Sequence, residues 1–145
     1  MKKVLLALGL FAGVLALTGC GTETLSCTMT SKESGANMTQ EINATFDGNK
    51  TKTVEAIMTM EFPESYADYM DTLKDSLDKQ MSEYEEEYGV DSDITVDGTT
   101  IKYTMKADAD KMDDESKELF GFDTEADQSK EAAQKDLEAA GYTCK

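Results

Sequence analysis

Hydrophobic and polar positions alternate with period two on both sides of one long stretch in which the apolar positions recur every three or four residues. Alternation of this kind marks strands that bury one face, and the three-four recurrence marks an amphipathic helix. A first strand is predicted over about Thr24 to Thr30, with Leu25, Cys27 and Met29 inward, and Ser31 to Asn37 carries turn chemistry. A second strand turns Met38, Ile42, Ala44 and Phe46 to one side and Thr39, Glu41, Asn43 and Thr45 to the other. Asp47-Gly48-Asn49 predicts a hairpin into a third strand, with Val54, Ala56, Met58, Met60 and Phe62 inward against Thr53, Glu55, Thr59 and Glu61.

The single proline, Pro63, breaks the strand pattern, and Ser65 with Asp68 has the spacing of a capping box. The stripe Tyr66, Tyr69, Met70, Leu73, Leu77, Met81, Tyr84 and Tyr88 then predicts one helix ended by Gly89. A stripe rich in tyrosine and methionine could line a ligand groove, but opposite an apolar sheet face it reads first as core. Ile94 and Val96, the turn pair Asp97-Gly98, and Ile101, Tyr103, Met105 and Ala107 predict a second hairpin. Asp113 or Asp114 is placed to cap a short helix through Leu119 and Phe120, ended by Gly121. A last helix from Thr124 or Glu125 to Ala140 presents Ala126, Ala133, Leu137 and Ala140. The expected fold is α+β: a single antiparallel sheet of about five strands, with the long helix and the C-terminal helices on one face.

The beginning of the chain follows a different rule. Lys2 and Lys3 precede an uncharged apolar run from Val4 to Leu17, which is shorter than the roughly 20 residues needed to span a bilayer. Leu17-Thr18-Gly19-Cys20 resembles the lipobox of bacterial lipoproteins. That resemblance implies a signal peptide over residues 1–19, cleavage between Gly19 and Cys20, and a diacylglyceryl thioether on Cys20. Residues 20–24 would then be the lipidated cysteine and a short tether, and 25–145 one domain. The expected address is the bacterial cell envelope, lipid-anchored to a membrane on the extracytoplasmic side. Two acyl chains hold such an anchor stably.

Charge and missing residue types narrow the chemistry. The chain carries −16 at pH 7, and loss of Lys2 and Lys3 would make the remainder two units more negative. A surface of that sign repels nucleic acid and anionic polymers, so no nucleic-acid partner is expected. There is no histidine, which removes His-dependent triads and the commonest nitrogen ligand for zinc. Carboxylate pairs could still act as in glycosidases, but spacing alone does not oppose two of them across a cleft, and no enzyme is expected. Nor is a cofactor.

If Cys20 carries lipid, Cys27 and Cys144 are the remaining pair, and a disulfide between them would tie the first strand to the tail. Glu83, Glu85, Glu86, Glu87, Asp91 and Asp93 crowd the end of the long helix, where each exposed negative charge is disfavoured by about 0.3–1 kcal/mol. Oxygen-only ligation suits Ca²⁺, but neither this group nor Asp108, Asp110, Asp113 and Asp114 has the register of a calcium loop. The metal expectation is therefore none, with Glu83, Glu86, Glu87, Asp91 and Asp93 as weak candidates and a calcium-responsive lipoprotein as the alternative function.

The order of elements resembles the YehR-like family of small bacterial lipoproteins. The likeness lies in the lipobox, the paired strands, the long amphipathic helix, a second β segment, a short helix begun by Met112-Asp113-Asp114 and a last helix ending Ala140-Gly141-Tyr142. It implies a fold and an address, with no assigned activity. The function expected is that of a membrane-anchored binding or interaction domain whose protein or small-molecule partner the sequence does not name.

Overall fold

The computed structural model describes residues 21–33, 35–120, 122 and 128–145. The expectations for the signal segment, Gly19, Cys20, Gly121, Thr124, Glu125 and Ala126 lie outside those residues. The described chain is an α+β fold with strands β1 (Thr22–Glu33), β2 (Ala36–Asp47), β3 (Lys50–Glu61), β4 (Asp91–Asp97), β5 (Thr100–Asp108) and β6 (Thr143–Cys144). They form one antiparallel sheet in the order β4-β5-β3-β2-β1-β6. Helices α1 (Met70–Tyr88), α2 (Asp114–Leu119) and α3 (Lys130–Ala139) complete the fold, with a 3₁₀ turn over Glu64–Tyr69 before α1. β6 pairs with β1, so the described elements from Thr22 to Cys144 close into one folded unit.

Several boundaries differ from the sequence-based expectation. The sheet has a sixth strand, β6, too short to carry an alternation signal. β1 begins at Thr22, so three of the residues expected in the tether are in the sheet, and it runs into the expected turn segment, where Glu33 pairs with Ala36. No capping box forms at Ser65: the 3₁₀ turn is preceded by Pro63 and α1 by Tyr69, neither with a side-chain cap. The tighter 3₁₀ winding shifts the phase of the stripe, which leaves Tyr66 and Tyr69 exposed. In the hairpins the two loop positions are Gly48-Asn49 and Gly98-Thr99, one residue later than Asp97-Gly98 suggested. Gly48 and Gly98 take φ of 58° and 59°, the positive angle that primed turns require at that position.

Because the strands alternate in phase across the sheet, one face collects nearly all the apolar side chains. Leu25, Cys27 and Met29 of β1 align with Ala44, Ile42 and Gln40 of β2, then with Val54, Ala56 and Met58 of β3, and with Ala107, Met105 and Tyr103 of β5. The opposite face is threonine and charge, with rows such as Thr24-Thr45-Thr53 and Thr30-Thr39-Thr59 running across the strands. Its side chains satisfy one another: Thr45 and Thr53 hydroxyls are 2.7 Å apart, and Asn43 Nδ2 donates to Glu41 and Glu55. All three helices therefore gather on the apolar face, where they make separate clusters.

At one edge α3 sets Ala133 and Leu137 on Leu25, Cys27, Ala44 and Phe46, all buried. At the other, α1 sets Met70, Leu73, Leu77 and Met81 on Ile94 and Ile101. At one end of the strands Met112 and Phe122 join Val90 and Ala107. Fully burying a Leu or Phe is worth about 1.5–3 kcal/mol, so Leu25, Phe46 and Ile101 are the main anchors of the packing.

The third strand of connection is covalent. The expected Cys27–Cys144 pairing is present, with Cα atoms 4.0 Å apart. Lys145 N donates to Ser26 O, which makes Cys27 and Cys144 a non-hydrogen-bonded cross-strand pair, the kind in which Cα atoms approach most closely. The path to it is set by a Schellman stop on α3: Gly141 N donates to Glu138 O and Tyr142 N to Leu137 O, with Gly141 at φ 98°. The chain turns out of the helix straight into β6.

Candidate functional site

α1 lies over β4 and β5, and α3 over β1 and β6. Between them the apolar face of β2 and β3 is left half covered. Ile42, Ala56, Met58 and Met38 keep intermediate exposure, although they belong to the same face as the sealed Ala44 and Phe46. The gap is a cleft of about 70 Å³ whose walls include Gln40, Ile42, Ala56, Met58 and Tyr103. It adjoins a wider hollow of about 270 Å³ under α1, formed by Gln80, Met81, Tyr84, Tyr103 and Met105. Tyr103 is common to both.

The lining is apolar with a polar margin on each side. On the α3 side Tyr142 Oη donates to Gln40 Oε1 at 2.6 Å, and Gln40 Nε2 reaches the Met38 sulfur at 3.4 Å. On the α1 side stand Gln80 and the exposed Tyr84. Burial, and then Tyr84 nearby, push the Tyr103 hydroxyl above its ordinary pKa, so it stays protonated and can donate a hydrogen bond at neutral pH. No carboxylate or amine lines the cleft. What these residues offer is contact: deformable methionine, flat tyrosine and a few amide and hydroxyl groups at the rim.

The tyrosine and methionine stripe of α1 was expected chiefly as core, and the structure divides it. Met70 is buried at 3% exposure, whereas Tyr84 is 40% exposed beside the hollow. The sequence signal that could have found the cleft is the excess of methionine on one sheet face, which carries Met38, Met58, Met60 and Met105 and of which Met58 and Met105 line the cleft and the hollow.

The acidic candidates are dispersed. Glu83, Glu86 and Glu87 stand exposed on α1, and Asp91 and Asp93 project from β4 on the open face. Glu85 is turned to β4, accepting from Ser92 N at 2.8 Å and Ser92 Oγ at 2.7 Å. Lys111 Nζ lies 3.4 Å from Asp91, and Lys74 pairs with Asp78. In the second group, Lys52 meets Asp110 at 3.3 Å, Asp113 caps α2 by accepting from Ser116 N at 2.7 Å, and Asp114 pairs with Lys117. The Ser116 amide holds the Asp113 carboxyl below its usual range. Among the described residues no three carboxylates converge on a point where a cation could sit. Nor is any described helix long and apolar enough to cross a membrane.

These features define an α+β domain with one solvated sheet face and one helix-covered face that is cleft down its middle. Two solved structures share the fold. The NMR structure of the Escherichia coli YehR protein is 20% identical, with a TM-score of 0.55, over 86% of this chain and 92% of that one. The NMR structure of a protein from Streptococcus pneumoniae TIGR4 is 16% identical, with a TM-score of 0.50, over 100% of this chain and 97% of that one. The chain thus has a YehR-like fold. No family model matches it, and no curated protein does.

Proposed function

We propose that the protein is a lipid-anchored, extracytoplasmic binding domain of the bacterial cell envelope, held through Cys20 and acting through the cleft between α1 and α3. The observation that carries the binding reading is the half-buried state of Ile42, Ala56 and Met58 in the middle of a face that is sealed at Leu25, Ala44, Phe46, Ile94, Ile101 and Ala107. A domain that needed only a core would close that face. Support for the anchor is the lipobox Leu17-Thr18-Gly19-Cys20. The absence of histidine and the lack of carboxylates and amines in the cleft wall favour binding over catalysis.

The cleft is tested with a neutral solvatochromic dye such as Nile red. The chain from Gly21 should bind it saturably at one site, and Met58→Glu should abolish that signal while the melting transition is retained. Dye binding that survives Met58→Glu unchanged overturns the reading. For the anchor, Cys20→Ala should lose incorporation of a palmitate analogue, and equal labelling of variant and wild type contradicts it.

A further inference from the structure

We infer that the occupant of the cleft is a cationic amphipathic α-helix presented by a protein partner. The inference rests on the binding reading above and adds the chemistry of the ligand.

Width comes first. Neighbouring strands lie about 4.8 Å apart, and from the midline of β4-β5 to β1, on which α3 is centred between β6 and β2, there are about three and a half such steps in the sheet order. The axes of α1 and α3 are therefore about 17 Å apart. Helices in contact sit 8–10 Å from one another, so the space over β2 and β3 is one helix wide. A third helix laid there would touch α1, α3 and the sheet floor together. The run of β3 left open from Ala56 to Met58 is about 7 Å long, which matches roughly one turn and a third of helix at 1.5 Å per residue.

The surface fits that shape. Met38, Met58, Met81 and Met105 are unbranched and polarizable, and such side chains adapt to the varied knobs of an incoming apolar stripe. Recognition of a helix in a groove works through anchors at i, i+3, i+4 and i+7.

Charge then selects the kind of helix. On α1 Glu85 faces β4 through Ser92 and Gln80 faces the hollow, which fixes the rotation of the helix. Helical geometry places Glu83 and Glu87, three and seven residues after Gln80, on the cleft flank, and both are exposed. The chain as a whole carries −16. An acidic helix would be repelled on approach, whereas one with Lys or Arg beside its apolar stripe is steered in and oriented.

The test uses two peptides of about 18 residues with an identical Leu/Phe stripe, one with Lys and the other with Glu on the flanking positions. They are titrated calorimetrically into the chain from Gly21, with circular dichroism to follow helix content. The Lys peptide should bind one to one, gain helix on binding, weaken in 0.5 M salt and exceed the Glu peptide at least tenfold in affinity. Glu83→Lys with Glu87→Lys, both at exposed positions near the C-terminal end of α1, should cut that preference at least fivefold with a melting temperature no lower than that of the unchanged chain. Equal affinity for the two peptides, binding without helix gain, or displacement of Nile red by a fatty acid but not by the Lys peptide overturns the inference. If Nile red still binds and neither peptide does, the helix is the wrong occupant and the cleft stands. If the dye fails as well, both readings fall.

Discussion

Two positions on β2, separated by one residue, live in different worlds. Ala44 is buried under α3 at 6% exposure, while Ile42 on the same face keeps intermediate exposure beside the cleft. Their side chains point the same way and their neighbours on β3, Val54 and Ala56, are equally apolar. What separates them is the helix overhead: α3, held by the Cys27–Cys144 bridge, reaches Ala44 and Phe46 and stops. An alternating strand pattern thus specifies a face that could be buried, and the placement of helices decides how much of it is. The edges of this face are the packed core, and its middle is surface available for contact.

That contrast predicts a steep gradient of mutational cost. Phe46→Ala, at 0% exposure, should lose about 3–5 kcal/mol in urea denaturation, the usual cost of a large cavity; a loss under about 1 kcal/mol would mean that the α3 cluster is not core. Cys144→Ser should cost roughly 2–5 kcal/mol and make stability insensitive to added thiol reductant. Ser129 caps α3 by accepting from Ala132 N at 3.3 Å. Ser129→Ala should therefore cost about 0.5–2 kcal/mol and loosen amide exchange protection in α3 and β6 before it does so in β3.

Met58→Ser in the cleft should cost about 1 kcal/mol or less and yet abolish dye binding, the reverse of the edge variants. The smallest effect concerns Asp113, whose folded pKa lies below the ordinary 3.8. A depressed carboxyl stabilises the fold above its unfolded pKa, and the contribution is lost as pH falls through the folded value. Asp113→Asn should then flatten the dependence of melting temperature on pH below about 4 while leaving it unchanged near neutrality.

How far these regions were legible in the sequence follows the same division. The phase of Val54, Ala56, Met58 and Met60, and of Ile101, Tyr103, Met105 and Ala107, identified the apolar face because period two leaves no freedom once a strand is assigned. Cys27 on that face and Cys144 past the α3 stop gave the bridge. The start of α1 was misplaced because a 3₁₀ turn and an α-helix share the i, i+3 spacing, so Tyr66 and Tyr69 looked continuous with Leu73. β6 was invisible because Thr143 and Cys144 are strand only through their pairing with Cys27 and Thr28. The cleft was not legible at all: the pattern marks Ile42 and Phe46 alike, and only the landing sites of α1 and α3 tell them apart.

Methionine oxidation tests the central claim, an open middle between sealed edges, directly. Dilute hydrogen peroxide converts accessible thioethers to sulfoxides, and mass spectrometry of digested protein follows each site. Met58, Met81 and Met105 line the cleft and hollow, whereas Met70 and Met112 are 3% and 5% exposed in the packed clusters. Oxidation of the first three at least tenfold faster than of Met70 and Met112, and its slowing on addition of the Lys-flanked helix, is the predicted result. Equal slow oxidation at all five sites would show the face closed from edge to edge and contradict the account.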